Sequence, residues 1–532
     1  MKNILAEICH RRLEDIKKTG YSYGHQIPQN RTRPVVPFLP HAGTILEVKR
    51  ASPSKGDIAP DLNPVETAEN YINAGTSAIS VLTEENYFKG SLEDLKKVCQ
   101  LADKMGNKTA VLRKDFLLEP EEIEVAYKCG ADAVLLIARI LDTQKLLQMA
   151  QKAFQLGISI LLELRDQEAV LKAVEVLKCA DKMNAHNQIV LGVNARDLKT
   201  FKIDMLIPLK IKNMIQEELK KAGIDCTKVK VISESGILNP DAAFATGAMG
   251  FDGILIGEAC AKNPASAVNY VNSFLDGCSE YSKKKNSFWS KISAKLNERK
   301  NQNKPLVKIC GITNIEDALT ATENGAHILG FIAEKKFSRH VDLDKVEAIK
   351  KEITDFCLKN STPVPLFVAV ITTFDTEESK KALHMQELGI FDGIQFHGFH
   401  GIEFHGFHGI EQNKNSNIHL GYEAFRIGDE NQLSELESKY IQGWPRVLID
   451  AYDANQQGGT GKQIPSTLVE KCGFSKLWLA GGITPENVKQ IIQNFNPELI
   501  DVSSGVEIAP GKKDKLKIQK LFQEINNLHD FL

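Results

Sequence analysis

VISESGI (231–237) with GILIGEA (253–259), and LWLAGGI (477–483) with LIDVSSGVE (499–507), are two copies of one pattern. In each copy an apolar, β-branched run ends in glycine, a helix-length gap follows, and a second such run ends in glycine. Glycine has no Cβ, so the main chain can approach an anion closely. Backbone N–H groups that open a following helix then favour a phosphate through hydrogen bonding and dipole together. In an eight-stranded β/α barrel this phosphate cup lies after strands seven and eight. Two cups predict two barrels, with two phosphorylated ligands or one ligand that passes from site to site.

Six further apolar runs precede each cup. In the first half they fall at 44–50, 78–83, 109–116, 133–138, 159–164 and 189–194, ahead of 230–235 and 253–257. In the second half they fall at 306–312, 327–332, 365–371, 393–398, 422–428 and 445–452, ahead of 476–483 and 499–505. Most intervals can hold a helix, and strands that alternate with helices form parallel sheets. The fold class is therefore α/β, with two consecutive (β/α)8 TIM barrels. Residues 1–18 have amphipathic helical spacing and add a helix before the first barrel. A length of 532 residues accommodates two barrels of about 250 each. The basic, polar stretch 281–304, with a helical middle, reads as the linker between domains 1–280 and 305–532.

A net charge of −2, with 42% hydrophobic and 25% charged residues, gives no sign of a nucleic-acid or membrane-surface partner. The 10 cysteines are scattered without a C-x-x-C pair, which predicts a reducing cytoplasm and no zinc or redox motif. The expected partners are small phosphorylated molecules, and the chain is expected to be a monomer.

Polar residues interrupt the apolar runs at the C-terminal ends of the strands, where barrel enzymes place catalytic groups. Glu47 and Lys49 lie on one side of TILEVKR, with Ser52 just beyond. Lys114 follows AVLR, Glu163 interrupts ILLEL, and Asn194 with Arg196 end VLGVNAR. A single strand-end lysine is as often a structural ion pair as a catalytic group. Such insertions on four separate strands, above a phosphate cup, point to an active site. In the second half Cys310 ends LVKIC, Asp450 ends RVLID, and Arg339 follows the second strand. A lone buried cysteine is usually core. Here it shares its barrel end with a carboxylate and an arginine. GGTGK (458–462) is a flexible glycine loop and not a Walker P-loop.

ILEVKRASPSKG, LRKDF, LLEL, GVNARDL and ESGI occur in the order found in indole-3-glycerol-phosphate synthase, and residues 1–275 resemble that family. The resemblance implies ring closure of a carboxyphenylamino-deoxyribulose 5-phosphate with loss of CO2 and water. It implies Lys114 as general acid, Glu163 as base, and Glu47 with Lys49 as a second acid–base pair. Ser52 and Arg196 would meet the substrate carboxylate and Asn194 a sugar hydroxyl. Lys49, Ser235, Gly236 and Gly257 would meet the phosphate, with Glu234 also counted among the substrate-binding residues.

KICGIT, GIQFHG, LIDAY, GGTG, LAGGI and DVSSGVE are similar, over about 305–525, to phosphoribosylanthranilate isomerase. That family carries out an Amadori rearrangement. The resemblance implies Asp450 as the acid that opens the ribose ring and Cys310 as the base at C2. Arg339 would hold the anthranilate carboxylate, and Gly481, Gly482, Ser504 and Gly505 would form the cup. A thiolate base calls for a lowered pKa, which a partly exposed, electropositive strand end would supply. Neither reaction calls for a metal or an organic cofactor.

Two features depart from the pattern. Phe396 stands where the isomerase family usually has leucine, and FHGFHGIE (396–403) recurs at 404–411. Such a copy cannot extend a strand without disturbing its register, so it is expected to loop out at the catalytic end. It gathers His397, His400, His405 and His408 at spacings a metal could use. Only Glu403 and Glu411 add support, and a duplication that copied histidines is the simpler reading. The rival functions are another pair of phosphosugar barrels, such as the isomerase and cyclase of histidine biosynthesis, and a synthase whose second barrel is an impaired scaffold or metal module. Paired aspartates would mark the first rival, and Cys310 argues against it. Bound metal would mark the second.

Overall fold

In the computed structural model, two closed parallel barrels of eight strands follow one another along the chain. It describes all residues except 1–3, 107, 197–201, 285–286, 300–303, 399–416, 442–443, 452–463, 473–475 and 529–532. The first barrel is built from Gly43–Val48, Ala78–Leu82, Ala110–Lys114, Ala133–Ile137, Ser159–Leu164, Ile189–Asn194, Lys230–Glu234 and Gly253–Ile256. The second is built from Leu306–Cys310, Ile328–Ile332, Leu366–Ile371, Gly393–His397, Gly421–Ile427, Leu448–Ala451, Trp478–Leu479 and Leu499–Val502. Each strand pairs with the next, and the eighth returns to the first, with Gly43 against Gly253 and Leu306 against Leu499. The chain divides into two compact units, Met1–Lys285 and Asn286–Leu532. The tandem copy at 404–411 with His405 and His408, His400 of the first copy, and the GGTGK loop lie outside the described residues.

Strands in such a barrel are buried on both faces, by helices outside and side chains within. Ile45, Leu112, Leu161, Val190, Ile232 and Leu255 meet in one buried apolar cluster of the first barrel. Side chains two residues apart share a face. Glu47, Lys114, Glu163, Glu234 and Gly257 are therefore the next inward layer above that cluster.

The expected N-terminal helix runs Ile4–Thr19. Its Arg12 is paired with the buried Asp115, the residue after Lys114, and stacks over Tyr23 with 4.1 Å to the ring centroid. The anchored helix brings Ile4, Leu5 and Ile8 to the first cavity.

The helical middle of 281–304 is Phe288–Glu298, and Ser287 caps it by accepting from the Ser290 N–H. Far from a free spacer, it belongs to the second unit. Phe288 stacks on Tyr422 at 5.5 Å, and Trp289 lies 5.8 Å from Trp478. The Trp289 indole N–H donates to the Ile418 carbonyl at 2.6 Å. Gly393 has no room for a side chain, since a Cβ there would lie 2.3 Å from the Phe288 ring. Trp289→Ala should cost the second unit about 3–5 kcal/mol. All three tryptophans of the chain lie in that unit. The loss will appear as an earlier denaturant midpoint in the fluorescence of Trp444 and Trp478, with hydrogen exchange in the first unit unchanged.

Candidate active sites

One cavity opens at the C-terminal end of each barrel. The first is lined by Glu47, Lys49, Ser52, Lys114, Glu163, Asn194, Arg196, Ser235, Gly236 and Gly257, which the sequence distributes over six strands and their loops. Glu234 lies just behind this wall, buried against Lys114. The Lys114 Nζ is 3.0 Å from Glu234 Oε2 and 3.5 Å from Glu47 Oε2. Burial acts to lower its pKa, but Glu234, Glu47 and Glu163 hold it above the ordinary lysine value. Burial pushes Glu163 the other way, up to about 7, and Glu234 adds to the rise while Lys114 and a hydrogen bond from Asn194 oppose it. That bond, from Asn194 Nδ2 to Glu163 Oε2, is 3.3 Å long. Glu47 is buried too, yet Lys49 at 3.1 Å and Lys114 keep its carboxyl below the usual range. One cation is thus fixed in its charged form beside a carboxyl poised near neutrality. Such an arrangement can serve proton transfer.

Two glycines are required by space. A Cβ on Gly192 would lie 2.0 Å from Glu234 Oε1, so the bare strand makes room for that carboxylate. Ser235 and Gly236 have consecutive positive φ of 68° and 82°, and they turn the chain at the cup.

The second cavity is lined by Cys310, Arg339, Asp450, Gly481, Gly482, Ser504 and Gly505, and also by Gln395, His397 and Asp501. Burial raises the Asp450 carboxyl to about 6, against a hydrogen bond from the Ala451 N–H. Arg339 is held from one side, its Nε 3.1 and 3.0 Å from the Glu507 oxygens. Lys513 ties the same region together, donating to the Cys310 carbonyl at 2.5 Å and to Glu507 at 2.8 Å.

The Cys310 expectation needs correction. Cys310 is 7% exposed, and burial pushes the pKa of its thiol up despite nearby Lys308 and Lys513. Strand ends can be electropositive without being wet, and here desolvation outweighs the two cations. The sequence reading also passed over Lys308 and Asp501, which pair at 2.6 Å. Both lay within reach of the rule that found Glu47, because Lys308 in LVKIC and Asp501 in LIDV are polar breaks in apolar strands.

The family description Indole-3-glycerol phosphate synthase matches residues 21–270, and N-(5'phosphoribosyl)anthranilate (PRA) isomerase matches residues 307–524. A tryptophan biosynthesis protein of Phytophthora nicotianae is 30% identical, over 87% of this chain and 88% of its own. The chain belongs to this two-domain family of tryptophan-biosynthesis enzymes. The TrpCF protein of Haemophilus influenzae is likewise 30% identical, over 90% of this chain and 86% of its own. A multifunctional tryptophan biosynthesis protein of Schizosaccharomyces pombe is 30% identical over 99% of this chain, which spans 66% of that protein's length. The first unit is accordingly the synthase barrel and the second the isomerase barrel. Among the described residues no helix is long and apolar enough to cross a membrane.

The isomerase cup depends on Gly505, where a Cβ would sit 1.9 Å from the Ile483 carbonyl oxygen. Gly505→Ala must shift that turn, and with it the backbone donors expected to meet a phosphate. Loss of one hydrogen bond to a charged group, about 1.5 kcal/mol, corresponds to roughly tenfold in binding. Steady-state kinetics should show isomerase KM raised by about that factor with ring closure unchanged.

Proposed function

We propose that the isomerase barrel converts N-(5-phosphoribosyl)anthranilate to 1-(2-carboxyphenylamino)-1-deoxyribulose 5-phosphate, and that the synthase barrel closes this product to indole-3-glycerol phosphate. In the first reaction the Asp450 carboxyl donates a proton to the ribose ring oxygen and the ring opens. The Cys310 thiolate takes the proton from C2, and the resulting enolamine becomes the ketone. Arg339, oriented by Glu507, meets the anthranilate carboxylate. Gly481, Gly482, Ser504 and Gly505 receive the phosphate.

In the second reaction the aromatic carbon bearing the carboxylate attacks the C2 ketone, whose oxygen takes a proton from Lys114. CO2 leaves as the ring regains its aromaticity. Glu163 as base, with Glu47 and Lys49 as the second pair, removes the elements of water. Ser52 and Arg196 hold the carboxylate, Asn194 faces a sugar hydroxyl, Glu234 acts from behind through Lys114, and Lys49, Ser235, Gly236 and Gly257 receive the phosphate. The observation that carries this reading is the opposed pair Lys114 and Glu163, a cation fixed as acid beside a carboxyl raised to about 7. Each cavity is lined by residues of one barrel, which supports a chain that works as a monomer. Ten free cysteines support a cytoplasmic setting.

Lys114→Ala should lower ring closure by about 10²–10⁴-fold and leave isomerisation within about twofold, and Cys310→Ala should do the reverse. A coupled assay starting from phosphoribosylanthranilate and following indole-glycerol phosphate fluorescence measures both. Either variant silencing both reactions in a folded chain would end the two-site reading.

The pH profiles should differ. Glu163 must be ionised to act as a base, so ring closure falls as pH drops through about 7, and Glu163→Gln removes that limb. Isomerisation needs Asp450 protonated and Cys310 ionised, although Asp450 titrates near 6 and Cys310 above its ordinary value. The active form is a minority at every pH. Its population is level between the two pKa values and falls outside them. Isomerase kcat/KM should therefore plateau from about pH 6 upward beyond pH 9; a narrow optimum near pH 7 would contradict this.

A further inference from the structure

We propose that Lys308 is the positioning residue that makes Cys310 competent as a base, its ammonium locked in the barrel beneath the thiol by Asp501 and Gln395. This rests on the reading that Cys310 takes the C2 proton. Lys308 is 0% exposed. Its Nζ donates to Asp501 Oδ2 at 2.6 Å and to Gln395 Oε1 at 2.6 Å. Tyr422 braces Gln395 by donating to the same oxygen at 3.0 Å. Lys308 and Cys310 are two residues apart on one strand and so share its inward face. Both crowd Gly330 on the neighbouring strand, where a Cβ would meet Cys310 Sγ at 2.7 Å and Lys308 Cε at 2.9 Å. The ammonium cannot swing to solvent, so its charge acts on whatever forms at the sulfur.

The two barrels make the case sharper. In the synthase barrel the corresponding position, two residues before Glu47, is Ile45, which belongs to the apolar interior cluster. There the cations Lys49 and Lys114 stand in the catalytic layer itself. The isomerase barrel instead places a lysine one layer lower, where a hydrocarbon side chain would pack at no electrostatic cost. A buried ion pair is often no more stable than apolar residues of similar volume. A task at the reacting sulfur accounts for the charge.

The groups that face Cys310 can be named element by element. Lys308 lies on its own strand and Asp501 on the last strand. Lys513 reaches its carbonyl from the hairpin beyond that strand, and Asp450 lines the same cavity from the sixth strand. Arg339 packs beside Gly311, whose Cβ would lie 3.1 Å from Arg339 Cδ, and Glu507 balances Arg339 and Lys513. Lys308 and Lys513 favour the thiolate, whereas Asp501 and burial oppose it. In the resting enzyme the thiol proton leaves to water. During turnover the sulfur accepts the C2 proton, and Lys308 stays protonated throughout.

Removing Lys308 and removing Asp501 must therefore act in opposite directions, which a merely structural role does not predict. The readout is the pH dependence of Cys310 alkylation by iodoacetamide in the full chain. The modified peptide is followed by mass spectrometry because the chain has 10 cysteines. Lys308→Met should move the inflection up by about one to three pH units, Asp501→Asn should move it down, and Lys308→Arg should keep it near the unmodified value. Isomerase kcat in Lys308→Met should fall at least about tenfold at neutral pH with KM little changed. Unmoved inflections in the folded variants, or shifts of the same sign, overturn the proposal. If Lys308→Met does not fold, the near-isosteric Asp501→Asn decides alone. A Cys310→Ala chain that isomerises normally refutes the base assignment itself, independently of the alkylation result.

Discussion

Closing a parallel sheet on itself leaves no edge and no solvent-facing side, so every strand residue faces either the helices or the barrel interior. Any charge on an inward position must then be paired within the barrel or reach its open end. This constraint governs both halves of the chain. In the synthase barrel it gathers Glu47 and Glu234 onto Lys114, with Glu163 held by Asn194 in the same layer, above an apolar one. Gly192 is bare because Glu234 needs its volume. The same crowding that makes the carboxylates expensive acts on them unequally, since Glu163 is raised to about 7 and Glu47 is held below the usual range.

The isomerase barrel answers the same constraint differently. The groups proposed as its acid and base, Asp450 and Cys310, are both raised by desolvation. Its cations lie under and behind the reacting groups, Lys308 in the barrel and Lys513 in the hairpin after the last strand. Glu507 joins Lys513 to Arg339, so the residue that would hold the anthranilate carboxylate and the strand that carries the thiol share one support. The base of this barrel is finished by a helix from outside the β/α repeat, where Phe288 and Trp289 pack on Tyr422 and Trp478.

Sixteen strands could be read from apolar runs because barrel strands are buried on both faces and therefore carry hydrophobic residues in succession. The candidate catalytic residues could be read for a related reason: a charge inside such a run is costly, so Glu47, Lys114, Glu163 and Asp450 stood out. Lys308 and Asp501 stood out equally and open the KICGIT and DVSSGVE motifs, but the resemblance implied no role for either and they were passed over. The linker helix was legible as a helix, whereas its attachment was not, because Phe288 and Trp289 say only that some partner is apolar.

The sequence by itself determined the number and order of the strands, the two glycine cups and most of the side chains at each barrel mouth. These follow from local patterns, namely apolar periodicity and the conformational freedom of glycine. The tertiary structure alone decided the electrostatics. Whether Cys310 is wet or buried, which carboxylate faces Lys114 and which cation lies beneath the thiol depend on contacts between strands far apart in the chain. Desolvation and Coulomb interactions are set by distance in space, and spacing along the sequence does not encode them.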